Sequence, residues 1–341
     1  MIIITDILQE PFDEGAKIAT RNLVENIKFT NTAFTVSINS LSRLPFIDAY
    51  FQLNKLLFSL IFYKTLRGIQ HAKILYIPDA STTLFSIIRA KLINLFSGKD
   101  VCILALQPRE YSLLTQGIAR FIPPKIIVTQ STKSAAYLTR MGIPNTILPL
   151  GVDDRKYCEF TSVKKRELRD KYILNQDKKV LLHVGHIQKS RNLDWLTDIK
   201  KDNSEIEIIV VGSTYNQDDE TTYSELIEAG IRIIKEYTPD MEELYNVSDY
   251  YIFPVLRDDG AIETPLSVLE AMACNLPIIT TKFGSLPDTF AEDSDFHYVN
   301  NAQEIIEIVG KQRVSSCKNR EKISPFTWKE IARKLVDIVE Q

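Results

Sequence analysis

Two carboxylates stand seven positions apart, Glu263 and Glu270, in the segment ETPLSVLEAMACNLPIITT (263–281). Thr264-Pro265 indicates the start of a helix, because proline lacks only an N–H that the first helical turn leaves unpaired. The free N–H groups and the dipole at such an end attract phosphate. A strand pattern, PIITT, follows at once. The segment therefore predicts a site for a sugar nucleotide.

A cationic loop follows the apolar run VLLHVG (180–185). Gly185 permits a sharp turn or a close approach of a ligand to the backbone. Three side chains that can donate to phosphate oxygens come next: His186, Lys189 and Arg191. A planar guanidinium can hold a diphosphate with two parallel hydrogen bonds. The pattern predicts a phosphate clamp, and a solvated basic loop is the open alternative.

A second loop, LRDDGAIET (256–264), follows the run YYIFPV. Arg257 is a candidate for the same clamp, and Glu263 for hydrogen bonds from sugar hydroxyls. Glu270 lies about two helical turns later, so it shares a helix face with Glu263 and is a candidate for ribose hydroxyls. The alternative is that both residues have structural roles only: Glu263 would complement the helix dipole at the N-terminus, and Glu270 would be an ordinary surface residue. Apolar neighbours surround Glu270, and a carboxylate in such surroundings needs a partner.

The elements that must position these loops follow from apolar runs alternating with helical patterns. The runs lie at 2–5, 34–38, 74–78, 101–106, 125–129, 146–150, 180–185, 206–212, 231–235, 250–254, 277–281 and 296–299, with helices at 14–28, 131–141 and 263–274. Unbroken apolar runs are typical of strands covered on both faces. The order predicts two doubly wound α/β domains, with ligands at the carboxyl ends of the strands.

Composition argues against several classes of function. The 341 residues carry a net charge of -3, so no basic field indicates nucleic acid. The first loop, DILQEPFDEG (6–15), has only Gly15 where a GxGxxG fingerprint would indicate NAD. The four cysteines have no metal-ligand spacing. Neither a signal peptide nor an apolar stretch of about 20 residues is visible, so we expect a cytoplasmic protein.

Several segments together resemble the retaining family-4 glycosyltransferases of GT-B fold, also described as glycosyl transferases group 1. They are IIVTQSTKSAAYLTRMGIPNTILPLGVDDRKY, VLLHVGHIQKSRNLDWL, EYTPDMEELYNVSDYYIFPV and ETPLSVLEAMACNLPIITTKFGSLPD. The resemblance implies two Rossmann-like doubly wound domains facing across a cleft. Residues 1–152 would form the acceptor-side domain, 153–325 the nucleotide-sugar-binding domain, and a C-terminal helix at 326–341 would pack back on the first.

This chain departs from the family pattern at a few positions. Ile262 stands where the family has its first acidic residue, so Glu263 serves only if the loop is shifted by one. His186 replaces a common Arg, and Arg191 falls at a common Lys. In the first domain, LQPREY has Gln107 and Arg109 where many members carry His.

The resemblance implies a hexosyltransferase that moves a sugar from a nucleotide-sugar donor, UDP- or GDP-linked, to a hydroxyl of a glycan or lipid-linked acceptor. The anomeric configuration would be retained, as in polysaccharide or glycolipid biosynthesis, with no metal and no separate cofactor. The implied catalytic residues are Arg191, Glu263 and Lys189. The implied donor-binding residues are Gly15, Gly185, His186, Arg257, Thr264, Pro265, Leu266 and Glu270. The acceptor is expected near 6–15, 79–84 and 107–112, and the base near 213–215 and 236–240.

Two other functions stay open on the sequence alone. One is a non-catalytic protein that binds a nucleotide sugar or a partner; the other is a nucleotide-sugar epimerase. Residues 50–68 and 85–99 interleave apolar and basic side chains. Such helices suit peripheral contact with the inner face of a membrane, and ordinary packing against the sheet is the alternative.

Overall fold

The computed structural model describes residues 1–341 except 13, 58, 79–82, 108–110, 213–218, 237 and 312–316. The chain divides into two compact units. The first comprises Met1–Gly151, Ile262–Thr264 and Trp328–Gln341, and the second comprises Val152–Ala261 and Pro265–Thr327.

The first unit is built on a parallel sheet of seven strands in the described part of the chain. The strands are β1 (Ile2–Thr5), β2 (Phe34–Ile38), β3 (Ala49–Phe51), β4 (Lys73–Ile77), β5 (Asp100–Leu104), β6 (Ile126–Thr129) and β7 (Asn145–Ile147). Their order is β3-β2-β1-β4-β5-β6-β7. Strand β1 lies inside this sheet and pairs with both neighbours: Ile2 is paired with Phe34 of β2 and with Ile74 of β4.

Five helices connect these strands among the described residues: α1 (Gly15–Thr30), α2 (Leu60–Gly68), α3 (Leu84–Ser97), α4 (Leu113–Phe121) and α5 (Thr132–Arg140). Buried side chains of α2 to α5 join one core with alternate residues of the strands, such as Ile2, Ile4 and Tyr76. Ser131 caps α5 by accepting a hydrogen bond from the backbone N–H of Ser134.

The second unit holds a parallel sheet with six described strands in the order β10-β9-β8-β11-β12-β13. They are β8 (Val180–Val184), β9 (Glu207–Val211), β10 (Arg232–Ile234), β11 (Tyr250–Phe253), β12 (Ile278–Thr280) and β13 (Phe296–Tyr298). The strand order reverses between β8 and β11, where Tyr250 pairs with Leu181. Loops at the carboxyl ends of two strands flanking such a reversal form the usual binding crevice of an open sheet.

The helices of the second unit among the described residues are α6 (Ser162–Lys171), α7 (Asp194–Asp202), α8 (Glu220–Glu228), α9 (Met241–Val247), α10 (Leu266–Ala273), α11 (Leu286–Thr289), α12 (Ala302–Gly310) and α13 (Asn319–Ile323). Short 3-10 turns cover Lys189–Arg191 and Ser324–Phe326. Helix α14 (Trp328–Glu340) belongs to the first unit and packs on α1.

In the second unit, successive side chains along a strand enter two different cores, one on each face of the sheet. Leu182 and Tyr251 lie in one core of the second unit, and their chain neighbours Leu181 and Ile252 lie in the other. Both sets are apolar, which is the pattern of strands buried on both faces. The predicted fold class, two Rossmann-like α/β domains, is confirmed.

Candidate functional site

The turn after β8 places Arg191 directly against Gly185. The chain leaves the strand at Gly185 with a φ of +155°, and a Cβ there would lie 2.9 Å from Cζ of Arg191. Only glycine leaves room for the guanidinium at this distance. The 3-10 turn Lys189–Arg191 then closes at Asn192, whose φ of +58° is in the left-handed region.

Arg191 is a buried cation, only 7% exposed. Its Nε has no hydrogen-bond partner, and among the described residues no acidic side chain forms an ion pair with it. Its Cζ lies 5.9 Å from the centroid of the Phe253 ring. Burial lowers the pKa of Arg191 to about 10, so the side chain stays charged at neutral pH. A buried charge is costly without a partner, and an anionic ligand would supply one.

His183 lies in β8, in the interior of the unit next to Arg191. Its ring stacks on Phe253 with centroids 6.3 Å apart, and Nδ1 is 2.9 Å from the carbonyl of Ile252. Burial, followed by the positive charge of Arg191, lowers the pKa of His183 to about 3. The imidazole is therefore neutral at physiological pH and adds no second buried charge.

Lys189 and His186 belong to the same turn as Arg191 but are less enclosed. Lys189 is exposed at the start of the 3-10 segment, and His186 is half-buried. The turn thus presents one buried cation and one exposed cation within three residues.

Arg257 has an acidic partner of its own in the loop after β11. Its Nη2 and Nε lie 2.8 and 3.0 Å from the carboxylate oxygens of Asp259, and both side chains are exposed. The same loop approaches the arginine turn elsewhere: a Cβ on Gly260 would be 2.9 Å from the carbonyl oxygen of Ser190. Gly260 is thus the residue of this loop that contacts the arginine turn, and a contact of Arg257 with phosphate stays a prediction.

Helix α10 begins at Leu266, two residues after the predicted Thr264. Pro265 is its N-cap residue, and no side chain caps the helix. The N–H groups of Val268 and Leu269 bond to the carbonyl of Pro265. An N-terminus without a side-chain cap leaves N–H donors in the first turn for another acceptor.

Glu270 extends from α10 into a group of tyrosines. The hydroxyl of Tyr245 donates to Oε2 of Glu270 at 2.8 Å, and the rings of Tyr245 and Tyr157 meet edge to face with centroids 5.8 Å apart. Burial raises the pKa of Glu270, while the hydroxyls of Tyr245 and Tyr157 act in the opposite direction. The carboxylate thus has the partner that its apolar surroundings demand, and the side chain remains partly accessible.

Glu263 belongs to the first unit, and the contacts described for it lie there. It is 3% exposed. Its carboxylate accepts hydrogen bonds from the hydroxyls of Ser131 and Ser134, the latter at 2.6 Å, and from the N–H of Gln130 at 3.3 Å. It therefore complements the N-terminus of α5. Its proposed contact with a donor sugar stays a prediction, and these bonds explain its burial without one.

Other predicted residues also fall in the first unit or outside the described residues. Gly15 begins α1, and a Cβ there would lie 3.2 Å from Cδ1 of Ile262, so close packing accounts for the glycine. Thr264 is buried. Arg109, residues 79–82 and 213–215, and position 237 lie outside the described part of the chain.

The sequence analysis missed aromatic contributors to this site, among them Tyr245 on α9 and Phe253 at the end of β11. Aromatic residues in an apolar helix or strand have no signal that separates a core role from contact with a functional group. In the described ranges, no cluster of three or more His, Cys, Asp or Glu side chains is suited to a metal ion.

Comparison with known proteins gives a sequence match over the second unit. Residues 164–324 match the family described as glycosyl transferases group 1. Spore coat protein SA of Bacillus subtilis is 25% identical over 221 residues, which are 56% of this chain and 57% of that protein. The match thus spans little more than half the length of that relative.

Solved structures resemble the chain over nearly its whole length. A sucrose-phosphate synthase from Thermosynechococcus elongatus aligns with a TM-score of 0.78 at 14% identity, covering 100% of this chain and 98% of the other. HepE of Anabaena, in complex with UDP and glucose, gives 0.74 at 12% identity, with coverage of 100% and 99%. A glycosyltransferase from Rickettsia africae gives 0.75 at 15% identity, with coverage of 99% and 97%. These likenesses establish the GT-B fold.

Proposed function

We propose that this chain transfers a sugar from a nucleotide-sugar donor to an acceptor hydroxyl, with retention of the anomeric configuration. The match of residues 164–324 to glycosyl transferases group 1 supports glycosyl transfer. The proposal rests most directly on Arg191, a buried guanidinium without an acidic partner among the described residues, at the carboxyl end of β8. A diphosphate is the ligand that such a group at such a position favours.

The chemical task is to stabilise negative charge on the leaving diphosphate as its bond to the sugar breaks. In this proposal Arg191 donates to the phosphate oxygens, and the exposed Lys189 on the same turn adds a second positive charge. The first N–H groups of α10, at Leu266 and Ser267, contribute where no side chain caps the helix. A leaving phosphate oxygen receives the proton of the acceptor hydroxyl, so no separate protein base is required.

Glu270 is proposed to hold the ribose of the donor. An ionised carboxylate can accept hydrogen bonds from two adjacent hydroxyls. The hydroxyl of Tyr245 donates to Oε2 of Glu270 and so restricts the orientation of this carboxylate. Among the solved neighbours, HepE is in complex with UDP and glucose, and this supports a UDP-linked donor; GDP-linked sugars are the second donor class to test.

The test is turnover of UDP- and GDP-sugars with glycan and lipid-linked hydroxyl acceptors, comparing wild type with Arg191→Ala at saturating donor. We expect the wild type to transfer the sugar, and NMR to show the same anomeric configuration in the product as in the donor. For the variant we expect kcat to fall by at least about a hundredfold. Lys201→Glu, an exposed change on α7, is the matched control. Unchanged turnover in Arg191→Ala would remove the clamp from the mechanism.

A non-catalytic protein that binds a nucleotide sugar is the second candidate. The observation that favours it is the burial of Glu263 among hydroxyls of the first unit, since a carboxylate so satisfied is less available to a donor sugar. Such a protein would bind nucleoside diphosphate and show neither transfer nor donor hydrolysis. Conversion of the donor sugar without any acceptor would instead indicate an epimerase.

A further inference from the structure

Helices α2, α3 and α4 form one layer over a single face of the first sheet. Inward side chains of the three helices, Phe62, Ile87 and Ala119, lie in the same core as strand residues Ile4 and Tyr76. Helix α3 packs against both α2 and α4. The three helices therefore share one outer surface.

That outer surface is apolar where a helix of a soluble domain normally presents polar residues. We call it the apolar face and define it by six exposed side chains: Leu60, Ile61, Phe85, Leu95, Leu113 and Phe121. Leu60, Leu113 and Phe121 are 89%, 85% and 87% exposed. Single exposed apolar residues are ordinary, but several large ones on adjacent helices mark an interaction surface.

Helix α3 shows the pattern within one element. Its inward residues Ile87, Ala90 and Ile93 are buried in the core, as expected. Its outward residues include Phe85 and Leu95, so the helix is apolar on both faces. Packing of an amphipathic helix on the sheet accounts for the apolar residues that face inward. The apolar residues that face outward are not covered by the sheet, so they indicate a second apolar partner.

The charge of this layer is one-sided. The three helices contain five basic residues and no acidic one; the basic residues are Lys64, Arg67, Arg89, Lys91 and Arg120. The whole chain has a net charge of -3, so the positive charge is local. Arg89 pairs with Asp6 at 2.9 Å, whereas Lys64 and Lys91 are exposed and have no ion pair with any residue the structure describes.

We propose that the apolar face docks on the surface of an anionic lipid bilayer. Leucine, isoleucine and phenylalanine side chains would enter the interface, and Lys64 and Lys91 would reach the headgroups on their long apolar stems. In the part of the chain that the structure describes, no helix has the length and hydropathy of a membrane span. The unopposed positive charge selects an anionic lipid surface over a neutral one.

The experiment is flotation of the full chain with vesicles of phosphatidylcholine alone or mixed with phosphatidylglycerol, at low and high salt. We expect flotation with the mixed vesicles at low salt and none with phosphatidylcholine alone. The double variant Lys64→Glu/Lys91→Glu should bind at least about tenfold more weakly, because each lysine near an anionic surface contributes severalfold. Leu60→Ser/Phe121→Ser should also lose binding.

Matched controls lie on the second unit, where Val163 and Lys201 are exposed on α6 and α7. Val163→Ser and Lys201→Glu should float as the wild type does, and all variants should keep the wild-type thermal midpoint. The proposal is overturned if the wild type fails to float on anionic vesicles at low salt, or if both double variants float unchanged. A wild-type dimer in light scattering that Leu60→Ser/Phe121→Ser makes monomeric, without flotation, would assign the face to a second copy instead.

Discussion

The hydroxyl of Tyr245 donates a 2.8 Å hydrogen bond to Oε2 of Glu270, which joins α9 to α10. Burial raises the pKa of this carboxyl, and the tyrosine partly opposes the rise. The hydrogen bond from Tyr245 therefore favours the ionised form of Glu270 although apolar residues surround it. It also makes the ionisation of Glu270 depend on a residue on another helix.

Tyr245→Phe should shift the pH dependence of nucleotide binding. If ionised Glu270 holds the ribose, affinity falls as pH falls through its pKa. Loss of the hydroxyl raises that pKa further, so in the variant the fall begins at a higher pH. At neutral pH we expect the affinity of the variant for nucleotide to be about three- to tenfold lower, since one such hydrogen bond contributes about 1 kcal/mol. Calorimetric titration with UDP from acid to neutral pH measures both effects; superimposable profiles for the two proteins would refute the coupling.

Arg191→Met should separate stability from function. The wild-type side chain is a buried charge without an acidic partner in the described residues. An apolar side chain of similar length avoids the free-energy cost of desolvating that charge. We expect the free energy of unfolding without ligand to be unchanged or raised by up to about 2 kcal/mol. Donor turnover and stabilisation by nucleotide should both be lost. Urea unfolding with and without UDP makes the comparison, and a variant that is strongly destabilised while still binding UDP would contradict it.

Gly185→Ala should displace the guanidinium, because its Cβ would lie 2.9 Å from Cζ of Arg191. We expect nucleotide affinity to fall by at least about tenfold, the effect of losing a charge-assisted hydrogen bond. Gly142→Ala is the control: Gly142 has a φ of +70° and open space around it. That variant should lose about 1 kcal/mol of stability from backbone strain and keep its affinity. Equal affinities in the two variants would argue against the packing of Gly185 on Arg191.

Glu263→Gln should destabilise the first unit. Its carboxylate accepts from two serine hydroxyls and a backbone N–H, and an amide cannot accept through its nitrogen. We expect the free energy of unfolding to fall by about 1 to 3 kcal/mol, because buried polar groups lose their hydrogen-bond partner. Ser134→Ala is the matched change on the other side of the bond. Chemical unfolding measures this cost, and turnover at saturating donor tests the sugar contact separately. Wild-type stability in both variants would refute the structural role.

The sheets were predictable from sequence because strands buried on both faces are continuous apolar runs such as IIIT and VLLHV. Strand β3 was missed, since AYF (49–51) is three residues long and only partly buried. Helix α10 was predicted two to three residues too early, because Pro265 is the N-cap residue and not the first residue of the helix. Local patterns fix the type of an element better than its ends.

The sequence identified candidate site residues in the loop that directly follows a strand, as at Gly185 and Arg191. It did not predict contacts between residues far apart in the chain. Tyr245 precedes Glu270 by a complete strand and loop, and nothing in its neighbours indicates that its hydroxyl serves a carboxylate. The serines whose hydroxyls donate to Glu263 lie more than a hundred positions before it, and only folding brings them together.

Thermal unfolding of the wild type, Arg191→Ala and Glu270→Ala with UDP, GDP, ADP and their common sugar conjugates tests the central claim most directly. A ligand that binds only the folded chain raises the thermal midpoint by mass action. We predict that one nucleoside diphosphate and its sugar conjugates stabilise the wild type, and that both variants lose the response. No stabilisation of the wild type by any of these nucleotides would contradict the account.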